Sequence, residues 1–449
     1  MQVGGPSAEA RLAGVISDLV GHDSWRLELW DGRAVGPRGG EFTLRLCDRR
    51  ALDRLLGTLP ERGFGRAYVA GLLEIEPLDA FLRALTRVPP KAFIMAAPRL
   101  LRAAVALGAR PDWRPVAAAE ARLRGRRHSV SRDAEAVRHH YDLPPEFYAL
   151  WLDPTLTYSC AYYATPGDDL ATAQSNKLDL VCRKLRLQPG ERLLDIGCGW
   201  GSLPIHAARE FGVEAVGITL SPAQAEFAQR RVAEEGLGDR VEIRLADYRE
   251  PQGTYDAVAS IGMIEHVGRA QLPRFARAVF EALRPRGRAL IHGITIPPTI
   301  GWSRFSFTNA FVFPDGELED IGFVDTTLER AGLELRDVES LRGHYARTLE
   351  AWAARLEQRY AEAEAIAGPE RARVWKLYMT GAAVGFRLGT LSIHQSLLVR
   401  PDPDGEINLP ATRADWYAGA AEDSAPGGAE LVGRAELARP AAAGQLGSH

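Results

Sequence analysis

Residues 194–201 read LDIGCGWG, and this stretch decides the fold. The apolar run RLLDI at 192–196 is typical of a buried strand, the glycines form a turn, and residues 203–211 have helical spacing. Glycine lets the backbone of such a turn approach a ligand closely at the carboxyl end of a parallel strand. The stretch therefore predicts a nucleotide-type binding site in a Rossmann-like α/β domain.

The same alternation of strand and helix continues outward from this turn. Segments with helical spacing separate four further apolar runs, which are EAVGI, RVEIRL, YDAVASI and RALIHGI. This pattern predicts a doubly wound α/β domain with a parallel sheet. Residues 349–395 are predicted to be helical and amphipathic. Before about residue 102, short strand-like and helix-like pieces alternate, which indicates a small α+β unit.

The spacing of the glycines distinguishes between two kinds of ligand. A dinucleotide fingerprint would place its third glycine at position 202, which is Ser202, whereas the third glycine here is Gly201. The next strand ends at Thr219, where many nucleotide-binding folds have a carboxylate for the ribose. The spacing thus favours S-adenosylmethionine. It also predicts that the cofactor is bound by Asp195, Gly197, Gly199 and Gly201.

Three polar residues downstream are candidate cofactor ligands. Thr219 and Gln224 lie in GITLSPAQ, and Asp247 is a possible acceptor for the adenine amino group. Taken alone, Thr219 and Gln224 are also ordinary residues for a strand end and a helix start. Their position after the glycine turn favours the ligand interpretation.

Composition limits the possible functions of the 449-residue chain. Lys and Arg number 55 against 58 Asp and Glu, a net charge of -3, so global charge gives no reason to expect nucleic-acid binding. A secretion signal and an apolar run long enough for a bilayer are both missing from the pattern, which predicts a cytoplasmic protein, at most peripheral at the cytoplasmic membrane. The cysteines lack metal-ligand spacing, so neither a disulfide nor a metal site is expected for Cys47, Cys160, Cys182 and Cys198.

From about Arg138 to Pro401 the chain resembles the cyclopropane-fatty-acyl-phospholipid synthase family, which includes mycolic-acid methyltransferases and enzymes that make methylene- or methyl-branched lipids. Many motifs in matching order carry the resemblance. They are HHYDL (139–143), LTYSCAYY (156–163), LLDIGCGWG (193–201), GITLSPAQ (217–224), IGMIEHVG (261–268), IHGI (291–294), FVFPDGEL (311–318) and HYARTLEAW (344–352).

The resemblance implies a class I S-adenosylmethionine-dependent methyltransferase sheet of seven strands, with helical insertions that form an acyl-chain tunnel. It implies methyl transfer to the cis double bond of an unsaturated phospholipid acyl chain, with a bound bicarbonate ion as the base. Tyr158 and Ser159 would help to bind the cofactor. The bicarbonate pocket would comprise Cys160, through its backbone, with Glu265, His292, Ile294 and Tyr345.

Four segments follow from these patterns. Residues 131–401 would be the methyltransferase domain, and the Pro-, Gly- and Ala-rich segment 402–449 a disordered tail. By analogy alone, residues 1–105 would be an accessory domain for lipid docking or dimerisation, and we expect a homo-oligomer. The basic segment 106–130 is either a solvated linker or a contact with anionic lipid headgroups.

One departure from the family pattern concerns the product. In the family HHYDL is usually followed by Gly-Asn, whereas Pro144, Pro145 and Glu146 follow it here. Glu146 could simply favour the dipole of the helix that it opens. Alternatively, its charge could act in catalysis and favour a hydride shift. That shift would yield a methylene-branched chain, which a separate reductase could convert to a methyl branch, instead of a cyclopropane.

Three other functions are disfavoured by the sequence. Ser202 and the missing ribose carboxylate argue against an NAD-dependent oxidoreductase. A methyltransferase for a polar acceptor would usually carry a motif such as Asn-Pro-Pro-Tyr where MIEHVG (263–268) stands. A lipid-binding protein without activity would not need both a cofactor turn and an anion pocket.

Overall fold

The structure, a computed structural model, describes residues 6–57, 60–116, 119–141, 143–250 and 252–416. Two compact units divide between Asn408 and Leu409. Residues 417–449 of the predicted tail lie outside the described residues. Asp402 closes a turn by accepting hydrogen bonds from the Asp404 and Glu406 amides at 3.0 and 2.8 Å, so the ordered chain extends past the predicted boundary at 401.

The N-terminal module is an α+β unit, as the sequence predicts. Its elements are α1 (Ala8–Val20), β1 (Trp25–Glu28), β2 (Ala34–Val35), β3 (Phe42–Leu46), α2 (Arg50–Gly57), α3 (Pro60–Val69), β4 (Leu73–Glu76), α4 (Leu78–Thr86) and α5 (Pro90–Ala106). Its sheet has the strand order β2-β1-β3-β4. Alternate residues of β1 and β3 are buried, because one face of this sheet packs on the helices. Residues 66–76 form the end of α3, a turn and β4.

The rest of the first unit alternates helices and strands. Its elements are α6 (Val130–Tyr141), α7 (Pro145–Ala149), α8 (Leu170–Lys184), β5 (Arg192–Ile196), α9 (Ser202–Phe211), β6 (Glu214–Thr219), α10 (Pro222–Glu234), β7 (Val241–Leu245), β8 (Tyr255–Ile261), α11 (Ile264–Val267), α12 (Leu272–Ala282), β9 (Leu283–Thr295), α13 (Phe307–Phe311), α14 (Ile321–Arg330), β10 (Glu334–Ser340), α15 (Arg342–Gln358), α16 (Tyr360–Ala367), α17 (Pro369–Leu388) and β11 (Ser392–Val399).

Within the described residues the main sheet has seven strands, in the order β10-β11-β9-β8-β5-β6-β7. Strands β5 to β9 pair in parallel, and β11 runs antiparallel between β9 and β10. The central strands β5 and β8 are buried almost throughout, because helices cover both faces of a doubly wound sheet. This arrangement confirms the predicted fold class.

The order of winding reverses at β5, whose neighbours are β6 on one side and β8 on the other. In open α/β sheets, ligands bind in the crevice outside the carboxyl ends of the strands at such a switch point. Because β5 ends at Ile196, the glycine turn lies at this crevice.

The prediction of helix through residues 349–395 is wrong at its C-terminal end. Gly389 ends α17 in a left-handed conformation with φ 78, and Ser392 begins β11. The segment SIHQSLLV is buried on both faces between β9 and β10, and its apolar run therefore lacks the alternation that would identify a half-exposed strand.

The N-terminal module shares a hydrophobic core with the helices above the main sheet. Arg373 of α17 donates to the backbone oxygens of Tyr68 and Leu73 at 2.7 and 2.9 Å. The Phe307 amide donates to Glu61 Oε1 at 2.8 Å. These contacts fasten the module to α17 and α13.

The basic segment 106–130 is partly anchored to the methyltransferase part of the chain. Arg127 pairs with Asp315 and Glu317, the latter at 2.9 Å, and His128 is buried. Three other arginines of this segment are exposed, namely Arg122, Arg124 and Arg126.

Candidate active site

The glycine turn after β5 forms one wall of a cavity. Gly197 and Gly199 line it with φ values of 85 and 55, the left-handed region that favours glycine. A Cβ atom on Gly199 would meet nothing within 4 Å, so its open side faces the cavity. Gly201 follows in the same turn and is not among the residues that line the cavity. Its Cβ would lie 3.0 Å from Ala228, so the missing side chain lets α9 approach α10.

Most of the other predicted cofactor ligands meet at the same cavity. Thr219 Oγ1 donates to Gln224 Oε1 at 2.9 Å, and both residues line the cavity wall at the end of β6. Further predicted ligands in the lining are Tyr158, Ser159 and Asp195.

Asp247 does not contribute to this lining. Arg249 binds its carboxylate through the side chain, with Nε at 2.7 Å from Oδ1 and a second hydrogen bond to Oδ2, and through the backbone amide. Its neighbours Ala246 and Tyr248 line the cavity instead. The prediction that the Asp247 carboxylate accepts the adenine amino group is therefore not matched by its placement.

Asp195 supplies a buried acceptor that needs a donor. Its Oδ1 has no hydrogen-bond partner among the described residues, and burial raises its pKa to about 7, against the lowering effect of Lys177. A buried polar group without a partner costs on the order of 1–3 kcal/mol. S-adenosylmethionine offers an ammonium group and ribose hydroxyls as donors, and the left-handed glycines leave room for it. The residues present fit this cofactor.

Two residues of α8 that the sequence analysis missed hold the segment opposite the glycine turn. Gln174 Nε2 donates to the Thr157 and Ser159 oxygens at 3.2 and 2.8 Å, and Lys177 Nζ donates to Ser159 Oγ at 2.9 Å. Both side chains are buried, and burial lowers the pKa of Lys177 to about 8. The signal was a glutamine and a lysine three residues apart on the apolar face of α8.

Glu265, which follows β8, and Ile294, near the end of β9, are brought together as predicted. Glu265 Oε1 accepts a hydrogen bond from the Ile294 amide at 2.6 Å. Its buried Oε2 has no partner among the described residues, and burial raises the pKa of this carboxyl to about 7. One carboxyl oxygen is thus fixed, and the other is available to a ligand.

His292 is held in one tautomer by its neighbours across the sheet. Gln395 lies opposite His292 in the β9–β11 register, and its Nε2 is 3.3 Å from His292 Nδ1. Lys184 Nζ donates to Gln395 Oε1 at 2.8 Å, and since lysine can only donate, the Gln395 amide nitrogen must face the imidazole.

Nδ1 of His292 is therefore the acceptor and Nε2 carries the proton. Burial, with Lys177 and Lys184 nearby, holds the pKa of His292 well below its ordinary value, so the ring is neutral. Its buried Nε2 has no partner among the described residues. His292 therefore offers a buried N–H donor on a neutral ring.

Tyr345 and Cys160 are also buried, and Tyr345 lies near Glu265. Burial raises the pKa of Tyr345 well above its ordinary value, and Tyr378, Cys160 and Glu265 raise it further. Burial also raises the pKa of the Cys160 thiol, so it is not a thiolate nucleophile. Tyr345 therefore lies near Cys160 and Glu265, and also near Tyr378, which the sequence analysis missed.

Aromatic rings pack around Tyr158 and Tyr345. The ring centre of Tyr158 lies 5.2 Å from that of Trp352 and 6.0 Å from that of Trp375, and Tyr345 lies 5.9 Å from Trp352. Burial keeps the Tyr158 and Tyr345 hydroxyls protonated by raising their pKa values. These rings form an apolar cluster, called the chamber below, which contains the hydroxyls of Tyr158 and Tyr345 and has the Glu265 carboxyl close to Tyr345.

Glu146 is not part of this site. It is exposed in the first turn of the short helix α7, and it does not line the cavity. Two prolines direct the chain so that Phe147 and Tyr148 turn inward while Glu146 turns outward. The placement fits a carboxylate at a helix start and does not support the predicted catalytic role.

The seven-stranded sheet with its antiparallel strand β11, and the cavity at the glycine turn, define an S-adenosylmethionine-dependent methyltransferase. The family model for mycolic acid cyclopropane synthetase matches residues 128–396. The chain belongs to this family.

Relatives and solved structures are consistent with this assignment. The chain is 39% identical to a probable fatty acid methyltransferase of Pseudomonas putida over 88% of this chain and 97% of that protein. It is 35% identical to the tuberculostearic acid methyltransferase UfaA1 of Mycobacterium tuberculosis, over 85% of this chain and 89% of that protein. The mycolic acid cyclopropane synthase CmaA1 complexed with SAH and CTAB is 34% identical, with a TM-score of 0.57 over 59% of this chain and 98% of that chain.

We expect Gly199→Val to abolish binding of S-adenosylmethionine. A branched residue at φ 55 is strained by about 1–2 kcal/mol, and its side chain would occupy the cavity. Calorimetric titration of the folded variant measures the affinity. Gly236→Val is the matched control, because Gly236 has φ 67 and open space around it but lies after α10, away from the cavity. Wild-type affinity in folded Gly199→Val would show that the turn is not the cofactor site.

We expect His292 to carry its proton on Nε2. The variant Gln395→Leu should allow both neutral tautomers. The substitution removes the donor to Nδ1, so nitrogen NMR of the imidazole should show one tautomer in the wild type and a mixture in the variant. The free energy of unfolding should fall by about 1–3 kcal/mol. Gln229→Leu removes an amide donor to the Ile243 oxygen elsewhere and serves as the control. An Nδ1-protonated wild type would contradict the assignment.

Proposed function

We propose that this enzyme transfers a methyl group to the cis double bond of an unsaturated phospholipid acyl chain and gives a methylene-branched chain, with cyclopropane formation as the alternative. One observation carries the proposal. Glu265 Oε2 and the Nε2–H of His292 are both buried and unpartnered among the described residues, and Glu265 lies near Tyr345. Tyr345 packs on Trp352, which also packs on Tyr158 at the cofactor cavity. The aromatic rings beside these groups suit an apolar acyl chain and a developing positive charge.

The reaction requires a dry and rigid chamber. S-adenosylmethionine, when bound, supplies an electrophilic methyl group. An alkene is a weak nucleophile, so the chain must orient it and exclude water. Tyr158 serves both needs, since it lines the cofactor cavity and its ring packs on Trp352 and Trp375. Gln174 holds the backbone oxygens of Thr157 and Ser159, on either side of Tyr158, and Lys177 holds the Ser159 hydroxyl.

Positive charge develops on the acyl chain, and aromatic faces can stabilise it. A cation over a tyrosine or tryptophan face gains about 2 kcal/mol when desolvated. Because their pKa values are raised, the tyrosines stay neutral and do not trap the charge by covalent attack.

Removal of a proton then needs a base in the same chamber. Bicarbonate would be held by the Nε2–H of His292 and the hydroxyl of Tyr345, with the free oxygen of Glu265 as a further partner. The neutral state of His292 makes it a donor and not the base itself. The buried donor and acceptor left unpaired among the described residues fit a small oxyanion with one hydroxyl.

Glu146 lies outside the site and gives no support for the methylene product. The preference for the methylene product is supported by the relatives that match most of the chain, which are named fatty acid methyltransferases. The cyclopropane synthase structures cover 59% of it. A methylene chain would then need a separate reductase to become a methyl branch.

The substrate would be reached at the cytoplasmic face of a membrane. Among the described residues, no helix is both long and apolar enough to cross a bilayer. We therefore propose peripheral contact with the lipid surface.

We expect the purified enzyme, given S-adenosylmethionine and vesicles with oleoyl phospholipid, to add one methylene unit to the acyl chains. The two products have the same mass, so proton NMR of the released esters must distinguish them. Vinylidene signals are expected, whereas high-field cyclopropyl signals would establish ring closure instead. Vesicles with fully saturated chains serve as the control, and methylation of those, or of the headgroup, would refute the function.

Glu265→Gln should keep wild-type affinity for S-adenosylmethionine and lose at least about 100-fold in turnover, because Glu265 faces the anion and not the cofactor. Binding is measured by calorimetry and turnover by release of S-adenosylhomocysteine. Glu281→Gln, on the exposed face of α12, is the control. Depletion of bicarbonate should slow the wild type, and an unchanged rate would refute bicarbonate as the base.

A further inference from the structure

The outer face of α5 is an apolar stripe directed at solvent. Leu101 and Val105 follow Ile94 by seven and eleven residues, so the three lie on one side of the helix. Pro98 lies between Ile94 and Leu101. Ile94 and the adjacent Met95 are 74% and 77% exposed. Single exposed apolar residues are ordinary, but such a stripe on one helix indicates a binding surface.

The fold does not need this stripe. The opposite side of α5 carries buried small residues, Ala96, Ala103 and Ala104, and α5 packs on α1 through this side. The helix is therefore held in place by its inner face, and polar residues on the outer face would cost little stability.

Cations flank the stripe. Lys91 and Arg102 lie on α5, whose sequence contains no acidic residue, and Arg110 follows it. None of the three forms an ion pair among the described residues. Trp113, 67% exposed, lies just beyond. Apolar residues with a basic border and a nearby tryptophan are typical of helices that lie in the plane of a membrane interface.

We propose that the outer face of α5 docks on a lipid bilayer with anionic headgroups, with Ile94, Leu101 and Val105 in the acyl region and Lys91 and Arg102 at the phosphates. The proposal rests on the proposed function, which places the substrate in such a bilayer, and it specifies the surface that makes the contact. A second copy of the chain is a poorer occupant. A two-fold contact through α5 would bring the unpaired cations of both copies together.

The apolar part of the proposal is tested with the double variant Ile94→Gln/Leu101→Gln of the full chain. Binding to vesicles of phosphatidylglycerol and phosphatidylcholine, measured by sedimentation without cofactor, should weaken by about tenfold or more. Turnover on these vesicles should fall in parallel. Turnover on the same lipid in detergent micelles, and affinity for S-adenosylmethionine, should stay unchanged. Ile366→Gln is the control, because Ile366 is 40% exposed on α16, outside the surface.

The charged part is tested with Lys91→Gln/Arg102→Gln. Binding to the anionic vesicles should weaken about fivefold for each charge removed, and binding to pure phosphatidylcholine should not change. Unchanged binding of either double variant to anionic vesicles would overturn the proposal. So would a change of oligomeric state by light scattering with vesicle binding intact, since α5 would then be a self-interface. A wild type that binds vesicles through α5 but methylates no lipid would refute the proposed function and not the docking surface.

Discussion

The whole site depends on one constraint of chain winding, the reversal of strand order at β5. Because β6 and β8 leave β5 on opposite sides, the ends of the parallel strands open a crevice that no crossover covers. The glycine turn follows β5, Thr219 ends β6, Glu265 follows β8 and His292 lies near the end of β9. Cofactor groups and candidate catalytic groups therefore come from different strands but meet at one edge.

Buried polar side chains fix the positions of these groups. The segment around Tyr158 has little regular structure, and Gln174 and Lys177 of α8 hold its backbone and the Ser159 hydroxyl. Near the end of β9, Lys184 of the same helix and Gln395 of β11 orient His292. Burial makes each of these polar groups expensive unless it is bonded, so the same interactions that stabilise the chamber also restrict the orientation of its donors.

The sequence was sufficient to predict the sheet and most of the cavity, because apolar periodicity and a glycine turn are local signals. It failed where the direction of a side chain depends on a partner. Arg249 binds the Asp247 carboxylate, and Asp247 does not line the cavity. Gln395 was placed in a helix, since a strand buried on both faces shows no alternation. The resemblance to a known family identified Glu265, His292 and Tyr345, which local pattern alone could not have selected.

The shared core between the N-terminal module and α17 has a geometric consequence. Arg373 joins α17 to the module, and the same helix carries Trp375 and Tyr378 of the chamber. The angle between α5 and the chamber is therefore set by packing. An enzyme bound to the membrane through α5 would have one fixed orientation relative to every acyl chain. The depth to which a chain enters would then determine which carbon reaches the reactive centre. Selectivity for one position of the hydrocarbon chain would then follow from the fold, because the distance from the headgroup plane to the reactive centre would be constant.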